Sequence, residues 1–368
     1  MYIYIVFLLF LGFLYLIQKR KKYNSIEYLD KKNENEKIAF MVFLFIFLLF
    51  ALRHPSMGND LHYLSDNGYL GSFDILNSYS WKKILQTQKY MNYERGYIIL
   101  NKVIGSVWKN KQFFIAVIAF LSLFPVYIFI KDNSESVILS YIVFFGTPVF
   151  LMYYSGLRQI IAIGICLYSI ILIKKRKLIW FILLVLFATL FHSSAWVFFV
   201  AYPLFYYKPS KKIRWLSVVI LGIIYAFRAK LFPFLSAFIK ENAEVQDTGA
   251  FTLYVVFVLI YIVCILFSNQ DERCREELNI DGFLNLFYIA CVVQSFAGLS
   301  NIAMRVGYYF AIVLIVLLPN VIKTTSVRGN QMVISGVVTI SFALFGLYSL
   351  KNTFWANAVP YYFFWQNV

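Results

Sequence analysis

Long apolar runs separated by short, lysine-rich polar stretches fill most of this 368-residue chain. A membrane-spanning helix needs about 20 mostly apolar residues, and helical periodicity adds little where every side is apolar. Run length and flanking charge therefore predict about twelve spanning helices. They cover residues 1–17, 38–53, 112–130, 136–154, 157–173, 178–192, 194–207, 215–231, 250–268, 281–299, 304–322 and 331–350. Residues 191–193 are either a tight turn or a break inside a tilted pair.

One polar segment, residues 53–111, is much longer than the other connections. Glycine, asparagine, aspartate and serine between positions 56 and 80 predict turns. Residues 81–90 and 96–108 are predicted to form short interfacial helices, because they combine aromatic residues with lysines. The pattern as a whole predicts an all-α polytopic helical bundle that forms a single membrane domain over residues 1–368.

Composition agrees with this fold class. The chain is 61% hydrophobic and only 14% charged, which is typical of an integral membrane protein and excludes an ordinary soluble domain. Its formal charge of +16 does not indicate a nucleic-acid site, because the lysines cluster at the ends of apolar runs. The lipid bilayer is therefore the expected partner, and no nucleic acid is expected.

The basic residues also predict an orientation. Residues 18–37, 174–177 and 208–214 carry seven, four and four lysines and arginines, and all three stretches fall on one side if twelve spans alternate. That side is predicted to be cytoplasmic, because short cytoplasmic loops are enriched in these residues. It holds 20 of the 34 lysines and arginines, and eight of the other 14 lie in the long segment 53–111. That segment is therefore predicted to face outward.

On this topology the conspicuous polar residues collect at the outer face: Arg53, Asp60, His62, Glu94, Arg158, His192 and Arg305. The planar guanidinium matches phosphate and pyrophosphate oxygens, so the three arginines are candidates for one anionic pocket. Arg158 and Arg305 are the strongest candidates, because each begins a long apolar run near glycine, where a charge is costly unless it reaches an interface or a cavity. The alternative for each arginine is an interfacial anchor whose charged end reaches water.

Three residues are candidates for proton transfer. Glu94 and Asp60 could act as a general base towards a sugar hydroxyl, and His192 as a proton acceptor or donor. The alternative for Glu94 and Asp60 is a solvated loop charge or a turn cap, and the alternative for His192 is a hydrogen-bonded interface residue. The chain contains no GxSxG, Walker or HExxH motif and no dense acidic cluster, so neither a metal nor a cofactor is expected. An enzyme at the outer face, where ATP is absent, needs an activated substrate such as a pyrophosphate-linked glycan.

Five short motifs together carry a family resemblance. They are Arg53 with Gly58-Asn59-Asp60 and Tyr63, Glu94-Arg95-Gly96-Tyr97 with Leu100-Asn101, Leu157-Arg158-Gln159 with Ala162, Phe191-His192-Ser193-Ser194-Ala195, and Arg305 with Tyr308-Tyr309. In this order and spacing they resemble the EpsG family, which belongs to the Wzy-like polysaccharide polymerases. The tyrosine after Asp60 fits the family pattern less closely than the other motifs.

The resemblance implies a GT-C-like fold and a metal-independent glycosyltransferase at the outer face of a bacterial plasma membrane. The enzyme would polymerise O-antigen, capsule or exopolysaccharide repeat units carried on undecaprenyl pyrophosphate, with a chain-length regulator and a flippase as partners. Arg158 and Arg305 would bind the pyrophosphate with Arg53 in support, and Glu94, Asp60 and His192 would be the candidate bases. Weaker contacts to glycan or lipid are expected from Gln159, Tyr97, Asn101, Tyr308 and Tyr309.

Three other functions compete with the polymerase. A flippase for the same lipid-linked repeat predicts cationic residues at the bilayer midplane, whereas the charged residues of this chain group at one face. An O-antigen ligase would share the donor and the outer arginine and histidine chemistry. A membrane acyltransferase that acts on surface glycan would draw acyl-coenzyme A from the cytoplasm.

Overall fold

The computed structural model of the protein describes residues 1–22, 28–61, 68–239, 250–268, 272–325 and 328–368. Within these ranges the chain is helical, and β-structure is limited to isolated bridges at Arg53–Phe363 and Tyr90–Tyr93. The prediction of an all-α polytopic membrane protein is therefore confirmed. Contacts divide the chain into two compact units, residues 1–196 with 336–368 and residues 197–335. The single domain proposed for residues 1–368 stays a prediction.

The first unit contains the helices that carry most of the candidate motifs. In chain order these are α1 (Tyr2–Lys22), α2 (Tyr28–Ala51), α3 (Tyr69–Ser78), α4 (Trp81–Gln86), α5 (Arg95–Val107), α6 (Lys111–Asn133), α7 (Val137–Phe145), α8 (Pro148–Ser155), α9 (Leu157–Lys174) and α10 (Leu178–Thr189). A 3₁₀ segment, Ser193–Val200, leads from this unit into the second.

The second unit is also helical. Its helices are α11 (Ala201–Tyr206), α12 (Lys211–Ile239), α13 (Ala250–Phe267), α14 (Glu272–Glu277), α15 (Ile280–Gln294), α16 (Asn301–Ala311) and α17 (Leu314–Thr324). The long helix α18 (Arg328–Asn352) returns the chain to the first unit, where a 3₁₀ turn, Phe354–Ala356, begins the C-terminal tail, residues 353–368.

Among the described helices, six are long and apolar enough to cross a membrane, and there are up to eight spans if each of two bent pairs is one span. Helix α2 is not one of them. Its first half carries Glu34, Glu36 and Lys37, so its apolar part is shorter than a full span. Helix α10, residues 193–206 and α15 are apolar but short. The number twelve therefore stays a prediction.

Two predicted spans are broken. The span expected at 136–154 is α7 and α8, which meet at 64°. Proline has no N–H to continue a helix, so Pro148 begins a new one, and the Thr147 hydroxyl donates to the Phe144 carbonyl 2.8 Å away. The span expected at 304–322 is α16 and α17, bent by 46°. Hydrogen bonds there shorten to the i→i+3 pattern, as from the Val313 N–H to the Phe310 carbonyl.

The core of the first unit surrounds the broken span. Every residue of α7 is buried, so this helix has no lipid-facing side. Helix α9 approaches α6 closely because Gly164 has no side chain: a Cβ there would lie 3.2 Å from the Pro125 ring. Small residues at such contacts allow membrane helices to pack with few gaps, which fixes the helix that begins with Leu157 and Arg158.

The long segment contains three short helices instead of the two expected. Helices α4 and α5 correspond to the predictions at 81–90 and 96–108, whereas α3 lies where turns were expected. Helix α3 packs on α5, because Gly105 leaves room for the Asn77 side chain. Lys102 of α5 donates to the Tyr79 carbonyl at 2.6 Å. The segment is thus a packed platform of helices.

The second unit is tied together by a buried ion pair. The Arg214 side chain, only 6% exposed, lies 2.8 Å from the Asp281 carboxylate, and Arg275 binds the same carboxylate. Arg214 also donates to the Asn285 amide oxygen at 2.8 Å, and that amide nitrogen donates to the Leu204 carbonyl at 2.7 Å. This network connects the starts of α12 and α15 to α11.

Candidate functional site

Arg158 lies in the first turn of α9, directly after a break in the helical chain. Helix α8 ends at Ser155, and Gly156 separates it from α9. A side chain at Gly156 would meet the Met152 side chain, and the Gly156 N–H closes the end of α8 by donating to the Met152 carbonyl at 2.7 Å. The guanidinium therefore projects from a helix N-terminus whose position is set by the break.

Arg53 supports this break from the buried side. It is 2% exposed and donates to the Tyr153 carbonyl at 2.7 Å, near the end of α8. Its guanidinium carbon lies 5.3 Å from the centre of the Tyr154 ring and 5.8 Å from that of Phe50. Aromatic faces stabilise a desolvated guanidinium. In this structure Arg53 contacts the backbone that precedes Arg158, and its predicted role at the pyrophosphate stays a prediction.

The chain around Gly58 also rests on the break. Gly58 has a φ of +91°, and a Cβ there would lie 2.7 Å from the Tyr154 carbonyl carbon. The C-terminal tail completes the support, because the Ser155 hydroxyl donates to the Trp355 carbonyl at 2.7 Å. The Tyr4 hydroxyl lies 2.6 Å from that of Tyr154 and donates to the Ala358 carbonyl at 2.7 Å.

Glu94 reaches the same place from the platform. It is the N-cap of α5, and its side chain does not cap the helix. Gly96 lets α5 approach the end of α10, since a Cβ there would lie 2.7 Å from the Leu190 carbonyl oxygen. The Tyr97 N–H donates to that carbonyl at 3.2 Å. The Glu-Arg-Gly-Tyr motif thus brings the Glu94 carboxylate beside the segment that follows α10.

We call Tyr93, Glu94, Arg158 and Ser193 the Arg158 cluster. The Arg158 guanidinium donates to one Glu94 carboxylate oxygen at 2.6 Å, and the Ser193 N–H donates to the other at 2.9 Å. Arg158 also donates to the Asn92 carbonyl, and its guanidinium carbon lies 4.8 Å from the centre of the Tyr93 ring. The side chains of Arg158 and Glu94 are 16% and 19% exposed, so the pair is largely shielded from water.

Tyrosines form the wall behind this cluster. Tyr93 stacks on Tyr69 at 5.6 Å and meets Tyr97 edge-on at 5.3 Å between ring centroids. Burial raises the pKa of Tyr93 to about 12, so its hydroxyl stays protonated at neutral pH. That hydroxyl lies 3.2 Å from the Ser72 hydroxyl. The wall therefore offers aromatic faces and neutral hydroxyls next to one guanidinium.

His192 lies one residue before the Ser193 N–H that binds Glu94. Its Nδ1 is 3.0 Å from the Ser194 hydroxyl, and its backbone N–H donates to the Ala188 carbonyl at 3.2 Å. The ring is partly exposed. Helix α10 ends at Thr189, turn residues follow at 190–191, and a 3₁₀ segment begins at Ser193.

Asp60 is exposed, and its backbone carbonyl accepts from the Tyr69 N–H at 3.0 Å. This hydrogen bond links the backbone of Asp60 to Tyr69, whose ring stacks on Tyr93 in the tyrosine wall. His62 and Tyr63, which were also singled out from the sequence, lie outside the described residues. The role of Asp60 as a base stays a prediction.

The weaker candidates in the first unit are deeply buried. Gln159 is 2% exposed, and Tyr97 and Asn101 are fully buried. The Asn101 amide donates to the Tyr97 carbonyl at 2.7 Å, one turn earlier in α5. Their predicted contacts to glycan or lipid stay predictions.

Arg305, Tyr308 and Tyr309 belong to the second unit. All three lie in α16, which is capped by the Ser300 hydroxyl that accepts from the Ala303 N–H at 3.1 Å. Arg305 is exposed, whereas Tyr308 and Tyr309 are 2% and 1% exposed. The predicted role of Arg305 at the pyrophosphate stays a prediction.

Sequence reasoning missed several contributors to the Arg158 cluster. Tyr93 contributes a ring, Asn92 a carbonyl and Ser193 an N–H. Tyr93 and Ser193 left a signal in the sequence, because Tyr93 directly precedes Glu94 and Ser193 belongs to the motif at residues 191–195. The carbonyl and N–H are backbone groups, which every residue carries, so only the fold reveals them.

Chemically, the cluster combines a permanent cation, an ionisable carboxylate and aromatic faces in a shielded position. Such an environment strengthens electrostatic interactions with an incoming anion. Among the described residues, no group of three or more histidine, cysteine, aspartate or glutamate side chains is arranged to hold a metal ion. The positive charge in this cluster comes from Arg158.

Comparison with protein families gives one match, to the EpsG family, over residues 37–363. The matched range includes the Arg158 cluster, Arg53, Asp60, His192 and Arg305. A search of curated proteins found no match, and neither did a search of solved structures. Because the matched range covers most of the chain, this multi-pass membrane protein belongs to the EpsG family, a family of Wzy-like polymerases.

Proposed function

We propose that this protein polymerises oligosaccharide repeat units carried on undecaprenyl pyrophosphate, by glycosyl transfer at the outer face of a bacterial plasma membrane. Family membership supports polysaccharide polymerisation. The observation that carries the proposal furthest is the shielded Arg158–Glu94 pair, which offers a cation for a leaving pyrophosphate and a carboxylate for an attacking hydroxyl. The uneven distribution of lysine and arginine supports the outer location.

In the proposed reaction, a hydroxyl of the acceptor sugar attacks the anomeric carbon of the growing glycan. A new glycosidic C–O bond forms, the bond from the anomeric carbon to the pyrophosphate oxygen breaks, and undecaprenyl pyrophosphate leaves with the electron pair. Arg158 stabilises the negative charge that develops on this leaving group. The hydroxyl proton passes to a base. In this proposal Arg158 supplies the positive charge at the leaving group, and the pyrophosphate bond of the donor activates the sugar in place of a nucleotide.

The pairing of Arg158 with Glu94 adds a feature to this proposal. The Glu94 carboxylate accepts a hydrogen bond from the Arg158 guanidinium, and an incoming pyrophosphate would compete with Glu94 for the guanidinium N–H groups. Release of Glu94 at that moment would free it to accept the hydroxyl proton. Glu94 is therefore our first candidate base, while Asp60 and His192 remain the alternatives.

Arg53 and Arg305 have different roles in the proposal. Arg53 supports the site through its hydrogen bond to the Tyr153 carbonyl, which precedes Arg158 by five residues. Arg305 is the proposed second ligand of the pyrophosphate on the basis of its sequence motif. Arg305→Ala should shorten the polymer if this assignment is correct, and a wild-type ladder would remove Arg305 from the site.

The function is tested by the surface glycan of a deletion strain complemented with wild-type protein or with Arg158→Ala. The polymerase proposal predicts single-repeat glycan without the protein, a full ladder with wild type and single repeats with the variant at equal membrane abundance. Loss of all surface glycan would instead indicate a flippase or ligase. Unchanged chain length with lost acyl groups would indicate an acyltransferase.

The base is identified by comparing Glu94→Gln, Asp60→Asn and His192→Gln in the same strain. The variant of the true base should leave single repeats, because proton removal contributes about 100- to 10,000-fold to rate. Variants of the other two residues should retain a ladder. A full ladder with Glu94→Gln would exclude Glu94 as the base without affecting the assignment of Arg158.

A further inference from the structure

A groove lies between the last turn of α9 and the first turns of α10, at the end of the helices remote from Arg158. It is lined by Leu172, Lys177, Trp180, Leu183 and Leu184 and has a volume of about 410 Å³. Small-molecule sites commonly fall between about 300 and 1,000 Å³. The groove is therefore large enough for a segment of a lipid molecule.

The one charged residue in this lining, Lys177, ends a run of four cations, Lys174-Lys175-Arg176-Lys177, which we call the basic turn. All four side chains are exposed. The turn has a defined backbone: Arg176 has a φ of +54°, and the Lys177 N–H donates to the Leu172 carbonyl at 2.9 Å. The helix connection thus fixes the backbone of the basic turn, with Lys177 in the lining of the groove.

The acidic neighbours of the basic turn lie towards Lys174 and not towards Lys175 and Lys177. Asp132, on the neighbouring α6, pairs with Lys131 at 3.0 Å, and Lys174 donates to the Asn133 side chain at 2.8 Å. In the part of the chain that the structure describes, no carboxylate forms an ion pair with Lys175 or Lys177. Lys175 and Lys177 therefore bring positive charge to the edge of an apolar groove.

The walls of the groove favour a lipid over a soluble anion. Trp180 and Leu183 are 62% and 50% exposed, and the same helix exposes Ile179 and Phe187. Such a surface on an apolar helix faces acyl chains, and tryptophan prefers the level of the lipid headgroups. Lysines at a cytoplasmic helix end attract anionic headgroups, and basic pockets between helices on that side bind them.

We propose that this groove binds an anionic phospholipid of the cytoplasmic leaflet. The headgroup phosphate contacts Lys177 and the basic turn, and one acyl chain lies along Leu172, Leu183 and Leu184. Trp180 stands at the boundary between the two parts. The site is independent of the proposed polymerase reaction, because it uses none of the residues of the Arg158 cluster.

The test uses the full-length protein, delipidated in detergent and titrated with phosphatidylglycerol or phosphatidylcholine, with bound lipid counted by native mass spectrometry. Wild type should prefer phosphatidylglycerol. The double variant Lys175→Ala/Lys177→Ala should lose about fivefold affinity per lysine, and Trp180→Ala should weaken binding of both lipids. An unchanged preference in the double variant would overturn the proposal.

A matched control is the double variant Lys211→Ala/Lys212→Ala, which removes two exposed lysines at the start of α12. It should leave the preference unchanged, and an equal loss would mean that lysines act only through net charge. If the first double variant does not yield monodisperse protein, Lys177→Gln alone should still reduce the preference about fivefold.

Two further titrations identify the occupant. Inorganic phosphate should not displace phosphatidylglycerol, because it gains nothing from the apolar walls; displacement would indicate a site for a free anion. Undecaprenyl phosphate shares the chemistry of an anionic head and an apolar chain. Tighter binding of undecaprenyl phosphate than of phosphatidylglycerol would overturn the phospholipid assignment in favour of the polyprenyl carrier.

Discussion

Replacement of Gly58 by alanine tests whether the helix break that precedes Arg158 depends on the chain that rests upon it. Gly58 has a φ of +91°, which side-chain-bearing residues rarely adopt, and this strain costs about 1–3 kcal/mol. The added Cβ would lie 2.7 Å from the Tyr154 carbonyl carbon, well inside the shortest ordinary contact of about 3.4 Å. Relieving such an overlap in a packed site costs about another 1–3 kcal/mol.

The chain around Gly58 must therefore move away from α8, or α8 must move with the start of α9. We expect Gly58→Ala to cost about 2–6 kcal/mol and to lower the apparent melting temperature in detergent by about 5 °C or more. The glycan ladder should shorten sharply at equal membrane abundance, because Arg158 is displaced from Glu94.

Gly222→Ala is the matched control. A Cβ at this position in α12 meets nothing within 4 Å. Alanine there should raise stability by about 0.5–1 kcal/mol, because glycine is a poor helix former. If Gly58→Ala keeps both the melting temperature and the ladder of wild type, the packing of this chain on the break does not hold the site.

Three other substitutions test the planar guanidinium of Arg158, the ring of Tyr93 and the buried ion pair of the second unit. Arg158→Lys keeps the charge but loses the planar fork, so we expect about a 100-fold lower rate of repeat addition in membranes supplied with lipid-linked repeats; a wild-type rate would refute a role for the fork. Tyr93→Leu should lower that rate roughly tenfold by removing the ring beside the guanidinium, whereas Tyr93→Phe should not, and equal losses would refute the ring contact. Asp281→Asn leaves Arg214 and Arg275 without their carboxylate, so it should destabilise the second unit by about 2–4 kcal/mol in thermal unfolding. The control Arg273→Ala removes an exposed ion pair and should change stability by less than about 0.5 kcal/mol. Similar melting curves for the two variants would contradict this expectation.

The helices were predictable from the sequence where apolar runs are long. The run at 157–173 became α9 (Leu157–Lys174), and the run at 112–130 became α6 (Lys111–Asn133). The bends were not predicted, since length and hydrophobicity do not report a change of direction. Pro148 is a local signal for one bend, but it lies inside a continuous apolar run whose length alone predicts one straight span.

The candidate site was predictable in part. Arg158, Glu94 and the residue after His192 do meet, and the distribution of charge along the sequence predicts one face for these three motifs. The burial of Arg53 was not predictable, because sequence indicates depth in the membrane but not lateral neighbours. The sequence shows Gly58 and Gly96 only as members of motifs, and it does not reveal that each permits a close backbone approach.

The hydrogen bond from Tyr4 to the Ala358 carbonyl has a consequence for biosynthesis. These partners are 354 residues apart, so the first helix enters the membrane long before the ribosome has produced the group that its tyrosine will bind. The Ser155 hydroxyl likewise binds a group made later, the Trp355 carbonyl, which follows it by 200 residues. Completion of the first unit, and with it the support of Arg158, must therefore follow translation of the tail. Until then a nascent chain cannot assemble the finished site, however many of its helices have been inserted.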